Sequence, residues 1–331
     1  MVSLRRSARR QGIAIIAWLD KEISIVLIGL SVIPLLLPPH PVSLQQTSRK
    51  AVGTMVYTWT DENREDVFTP EADYRNITVQ FWYPAVTPGE SAPVLEGPFP
   101  LVAFSHRACG YRMSNHSTFM ESAGNGYIVA SIDHTHQAFM TKEADGRVVL
   151  GDTGFIQTAM HVENGEITGE ALYQLQKDWM ALRSSDMAFV LEQIRKRAAL
   201  PTSNELFHQL DIECIGVLGH SMGGATAAWI GREDDAIDAV IVLDGTLMGE
   251  IAGFEQGKEV LTDVPHPKPI LDVFNESHYA DAAAIGLDYA NKRMQKHAPQ
   301  AYQLVVDGSG HLKLHRHPPR FALACILVGH R

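Results

Sequence analysis

The chain has 331 residues, 45% hydrophobic and 20% charged, a composition that excludes a disordered, collagen-like or disulfide-stapled protein. Its three cysteines, Cys109, Cys214 and Cys325, show no CxxC or Cys/His zinc spacing, so the expected chemistry needs no metal and no cofactor. The net charge of −10 divides into +5 over residues 1–50 and −15 over the remainder; so acidic a body repels phosphate backbones and argues against a nucleic-acid partner.

At the start of the chain, Arg5, Arg6, Arg9 and Arg10 precede two apolar runs, 13–19 and 23–37. Residues 1–40 therefore read as a signal peptide or an N-terminal membrane anchor. The second run, 15 residues long, falls short of the roughly 20 of a spanning helix, and no small-x-small cleavage site stands out, so both readings remain open. Either one places the rest of the chain, a catalytic domain over residues 50–331, outside the cytoplasm, secreted or held at a membrane through the N-terminus.

From residue 52 onward, short β-rich runs alternate with helical periods, which predicts an α/β fold: about eight strands in a mostly parallel sheet flanked by helices. The expected strands are 53–59, 77–83, 100–105, 127–132, 213–218, 237–243, 268–274 and 301–306. The first two carry polar alternation and are expected to pair antiparallel at an edge. The later ones are nearly continuous apolar runs, as in strands covered on both faces. Residues 171–196 form the clearest helix, with Leu172, Leu175, Trp179, Leu182, Phe189, Val190 and Ile194 on one stripe; Arg183 and Asp186 are expected to pair on its surface. Residues 138–170 have no clean period and read as an excursion over the sheet, either a substrate entrance or a tolerated insertion.

The chemistry concentrates at Gly219-His220-Ser221-Met222-Gly223-Gly224, between an apolar strand and the Ala-rich run that opens at Ala225. G-x-S-x-G in that setting is a nucleophile elbow, a sharp strand-to-helix turn with Ser221 at its tip. Serine needs a base to take its proton, and a base needs an orienting acid. His311, after the last strand and the Asp307-Gly308-Ser309-Gly310 loop, supplies the base. Asp244 closes one strand, while Asp272 and Glu276 lie within and just after the next; all three satisfy the chain order, and the general hydrolase plan, with its acid after the later strand, favours Glu276 or Asp272. The pair His134 and His136 lacks a third metal ligand. Asn-x-Ser/Thr sequons begin at Asn76, Asn115 and Asn275.

With these residues in view, the chain resembles the platelet-activating-factor acetylhydrolase family of α/β-hydrolases, in its plasma and microbial forms, from about residue 77 to 325. The resemblance rests on Phe81-Trp82-Tyr83-Pro84, Pro100 to His106, Gly126 to Ala130, and Gly219 to Thr226. It implies Ser221 as nucleophile, His311 as base and Asp244 as acid, with Glu276 second to Asp244. It also implies oxyanion donors at the Met222 and Ala108 amides, and as substrate a phospholipid with a short acyl group at the second glycerol position. The oxyanion loop departs from the family pattern, because Arg107 and Cys109 replace glycines; Arg107 is expected either to hold an anion or to face solvent. The C-terminal tail is also shorter than the family's, with residues 320–329 as a partial replacement helix. Two other readings accompany this one. The elbow also looks like that of cutinase-like polyester hydrolases, which would make the protein a general carboxylesterase acting on small esters, and the altered loop suits an inactive hydrolase fold used for binding.

Overall fold

The computed structural model describes residues 50–70 and 73–311. The expected leader at 1–40 and tail helix at 320–329 lie outside the described residues. Strands are β1 (Ala51–Glu65), β2 (Tyr74–Ala85), β3 (Gly89–Glu90), β4 (Phe99–Ser105), β5 (Ile128–Asp133), β6 (Met140–Lys142), β7 (Val148–Leu150), β8 (Leu210–His220), β9 (Ala239–Leu243), β10 (Ile251–Glu255), β11 (Lys258–Leu261), β12 (Ile270–Asn275) and β13 (Ala301–Val306). Helices are α1 (His116–Gly124), α2 (Thr153–Glu163), α3 (Gly169–Ala198), α4 (Glu205–His208), α5 (Met222–Glu233), α6 (Glu276–Ile285) and α7 (Ala290–His297).

Nine described strands form one sheet in the order β13-β12-β9-β8-β4-β5-β2-β1-β3. All eight expected strands are in it, and the ninth, β3, is a two-residue addition beside β1. The run from β13 to β5 is parallel, while β2 pairs antiparallel with both β5 and β1. The parallel strands are apolar on both faces because both faces are covered. On one side Leu101, Ala103 and Val217 pack with Val190 and Ile194 of α3 and Ala227 of α5. On the other, Trp82, Val102 and Phe104 pack on Phe119 of α1.

Helix α3 buries Trp179, Val190 and Ile194 of the expected stripe and half-buries its other members, with Met180, Met187 and Leu191 also packed inward, but the surface pair on it does not exist. Arg183 and Asp186 are both fully buried and point to different partners. Asp186 takes a bidentate contact from Arg75 of β2 at 2.9 and 2.8 Å, with Arg64 at 3.0 Å. Arg183 donates to Gln137 and to the carbonyl of His106. The excursion at 138–170 is also more ordered than its sequence suggests. It holds the β6–β7 hairpin and α2, whose first turn is capped by Asp152 accepting from the Phe155 amide at 2.6 Å. Among the described residues, no helix is long and apolar enough to cross a membrane.

Candidate active site

The expected catalytic residues gather at the carboxyl ends of the parallel strands, where α/β sheets bind ligands. Ser221 follows β8, Asp244 follows β9 and His311 lies five residues beyond β13. Glycine is required around the serine for lack of space: a Cβ on Gly219 would lie 1.9 Å from the Gly223 carbonyl oxygen, and one on Gly223 would lie 2.0 Å from that of Ser105. The compressed turn leaves Ser221 at φ 55°, ψ −123°, a conformation costly for any L-residue. It is held by the Ser221 amide donating to Leu243 O at 2.8 Å and by the Gly224 amide donating back to Ser221 O at 2.8 Å. The serine hydroxyl makes no cap bond to α5, so it is left for other work. Met222 opens α5, where backbone N–H groups lack helical partners and the helix dipole favours negative charge.

Asp244 is buried at φ 54° and its carboxylate accepts four donors. Oδ1 takes the Asn275 amide at 2.8 Å and His278 Nδ1 at 2.8 Å. Oδ2 takes His311 Nδ1 at 2.6 Å and the Asn275 side-chain amide. Burial opposes the charge, but the hydrogen bonds from His278, His311 and the Asn275 backbone outweigh it and hold the carboxyl well below the usual carboxylate range. Of the three candidate acids, only Asp244 meets His311. Glu276 is exposed at the start of α6, with the Gly308 amide 3.4 Å from its Oε2. Asp272 faces away to Asn291 and Gln295.

In the loop after β4, the Gly110 amide donates to Arg107 O at 2.9 Å, and Cys109 takes φ 52°. A glycine-like conformation is thus occupied by a side chain, as the departure from the family pattern implied. Arg107 is half-buried rather than solvent-facing; its guanidinium reaches the Ala108 carbonyl at 3.2 Å, and burial makes its charge less favourable than usual. Ala108 and Cys109 pack in one apolar cluster with Met222, Phe155 of α2 and Trp179 of α3. The Phe155 and Trp179 rings meet edge to face at 5.5 Å, so the excursion supplies one wall beside the residue that follows the serine.

His134 is buried between Ser105 Oγ at 2.8 Å and Asp186 at 3.0 Å; burial and the nearby Arg183 lower its pKa to about 4 despite Asp186. His136 stacks on Phe68 at 5.1 Å. Among the described residues, no three His, Cys, Asp or Glu side chains are grouped to hold a metal ion. Two sequons are buried: Asn115 is inaccessible, and Asn275 is spent on Asp244. His278 is the site residue that the sequence reading missed. Its one local signal is the Asn275 side chain capping α6 and accepting the His278 amide at 2.9 Å, because its other partner arrives from β9.

A family model described as "Platelet-activating factor acetylhydrolase, isoform II" matches residues 82–313. Among curated proteins, the platelet-activating factor acetylhydrolase of Bos taurus is 27% identical over 198 residues, covering 51% of this chain and 38% of that protein. A probable 1-alkyl-2-acetylglycerophosphocholine esterase of Arthroderma benhamiae is 27% identical over 201 residues, covering 60% of this chain and 44% of that protein. The chain thus spans less than half the length of these curated relatives. Among solved structures, a ferulic acid esterase from Streptomyces cinnamoneus superposes with a TM-score of 0.59 at 21% identity, covering 86% of this chain and 88% of that one, a likeness of fold. The match to the family model extends from within β2 to the His311 loop, and the chain belongs to the platelet-activating factor acetylhydrolase, isoform II family.

Proposed function

We propose that the protein is a serine esterase in which Ser221 attacks the ester carbonyl, His311 takes its proton and Asp244 orients the imidazole. The observation that carries this reading is the 2.6 Å hydrogen bond from His311 Nδ1 to Asp244 Oδ2, beside a strained serine at the end of the neighbouring strand. A carboxylate only accepts, so the His311 proton sits on Nδ1 and the Nε2 lone pair is available as the base. The Met222 and Ala108 amides receive the oxyanion; their packing in one cluster supports that pairing. Collapse of the tetrahedral intermediate expels the alcohol with the proton returned by His311, and water then releases the acyl group by the same steps in reverse.

The proposed substrate is the short acyl ester at the second glycerol position of platelet-activating-factor-like phospholipids, in keeping with the family and the printed names of the relatives. The basic and apolar text of residues 1–40 supports action outside the cytoplasm, as a secreted or membrane-associated enzyme. A polyester hydrolase with its acid after the later strand fits less well, since Glu276 does not reach His311.

The test compares the full-length protein with its Ser221→Ala variant on a 2-acetyl ether phospholipid, p-nitrophenyl acetate and a long-chain p-nitrophenyl ester. Phospholipid turnover lost in the variant is the expected result. Turnover of p-nitrophenyl acetate alone would reduce the reading to a general esterase, and failure of a fluorophosphonate to label Ser221 would replace it with a binding protein.

A further inference from the structure

Asp244 holds two imidazoles, and the proposed mechanism uses only one. His278 sits in the first turn of α6 with its ring against Phe274 at 5.0 Å. Its Nδ1 donates to Asp244 Oδ1, the oxygen that His311 does not use. Its other nitrogen, Nε2, lies 2.5 Å from the Tyr289 hydroxyl, which lies 2.7 Å from Thr246 Oγ1. The directions of these bonds follow from the carboxylate. Because Asp244 only accepts, His278 carries its proton on Nδ1; in the neutral ring Nε2 then accepts, Tyr289 donates to it, and the Thr246 hydroxyl donates to Tyr289. Burial raises the Tyr289 pKa, so that phenol stays a donor. The chain of donors runs one way, from Thr246 through Tyr289 and His278 to Asp244.

The two histidines are not equivalent. The outward nitrogen of His278 is occupied by Tyr289, whereas that of His311 has no hydrogen-bond partner among the described residues. The His311 side chain is also the more exposed, 44% against 19%. His311 is thus free to meet a serine and a substrate, and His278 is not.

We propose that His278 is a positioning residue for the base: by filling Asp244 Oδ1 it fixes the carboxylate plane so that Oδ2 is presented to His311. This rests on the Ser221–His311–Asp244 reading. Without His278, the Asn275 backbone amide on Oδ1 and the Asn275 side-chain amide on Oδ2 still hold the carboxylate, but its plane loses one of its two side-chain anchors and His311 is oriented less firmly. The effect falls on the chemical step rather than on substrate binding, since His278 lies on the far side of the acid from the base.

The experiment measures kcat and KM on p-nitrophenyl acetate, and the rate of fluorophosphonate labelling, for the full-length protein and its His278→Phe, His278→Asn, Tyr289→Phe and Asp244→Asn variants. His278→Phe is expected to lower kcat and the labelling rate about ten- to thirtyfold, the worth of a hydrogen bond to a charged group, with KM unchanged. Asparagine places an amide donor near the position of Nδ1 and is expected to restore kcat to within about threefold of wild type. Wild-type kcat in His278→Phe, or an Asn variant no better than the Phe variant, overturns the proposal. Should His278→Phe not fold, Tyr289→Phe decides: a severalfold loss in kcat alone supports the relay, and wild-type kcat overturns it. Asp244→Asn separates the two ideas, because a loss of about a thousandfold or more is expected from the triad, and wild-type labelling there would remove the triad and the positioning role together.

Discussion

Asp272 illustrates how much a single buried atom weighs near this site. Its Oδ2 accepts from Asn291 at 2.9 Å and Gln295 at 3.1 Å, while Oδ1 has no partner among the described residues. Burial pushes its pKa up to about 7, above the ordinary value of an unfolded aspartate. The folded state therefore binds more protons than the unfolded chain between about pH 4 and 7, and the stability linked to this group declines as pH rises through that window. Asp272→Asn, which keeps the acceptor and removes the charge, is expected to be more stable than wild type at pH 8 by on the order of 2 kcal/mol. The advantage should fade toward pH 4, as measured by urea denaturation at the two pH values. At this scale the strained turn at Ser221 and the loop that brings His311 to Asp244 were legible because both are local text. Which carboxylate meets His311 was not legible from the residues alone, since Asp244, Asp272 and Glu276 differ only in which way they point across neighbouring strands. His278, one of 15 histidines, had no sequence mark that a partner from the end of the neighbouring strand β9 would meet it.

Helix α3 is fastened to the sheet by charge as well as by its apolar stripe. Asp186 sits among Arg75, Arg64 and His134; burial works against its charge, but Arg75 and the His134 hydrogen bond hold its carboxyl below the usual range. From the same helix, Arg183 holds the carbonyl of His106, so α3 also braces the loop that carries Ala108. Removing the acid leaves the buried Arg75 with Asp66 as its remaining carboxylate at 3.2 Å and Arg64 with Asp61 at 2.6 Å, so the loss is expected near the lower end of the roughly 3–5 kcal/mol for breaking a buried pair. Asp186→Asn is expected to lower the urea midpoint accordingly, with an unchanged m-value. The helix itself was legible from its period, and so, in hindsight, was the burial of this pair. Arg183 and Asp186 stand four and seven residues after Trp179, on the apolar stripe itself. Reading charge as exposure hid them. The helix α2 escaped notice because Phe155 is its one buried residue, too little for a periodic signal, although Asp152 offered a cap.

Across the whole molecule, the proposed catalytic groups stand on strands of unequal security. The serine follows β8, flanked by β4 and β9 near the middle of the sheet, whereas His311 follows β13, one of the two edge strands among the described residues, bonded there to β12 alone and with Tyr302 half exposed. Edge elements with exposed backbone open at lower free energy than the core. Fluorophosphonate labelling of Ser221 is therefore expected to fall at lower urea than the loss of tryptophan fluorescence; coincident transitions would show that β13 melts only with the rest. The class of sheet and its strands were legible from alternation and apolar runs. The order of the strands was not, because lateral neighbours are chosen by packing between distant segments. Asn275 carries a different consequence. By its three-residue text it is an acceptor for oligosaccharide, yet in the finished fold its side-chain nitrogen is buried against Asp244. Sugar transfer and folding are thus rivals for one amide, and a eukaryotic secretory host that glycosylates the nascent chain would yield a subpopulation barred from forming the Asn275–Asp244 contact of the proposed site. A bacterial host without that machinery avoids the contest.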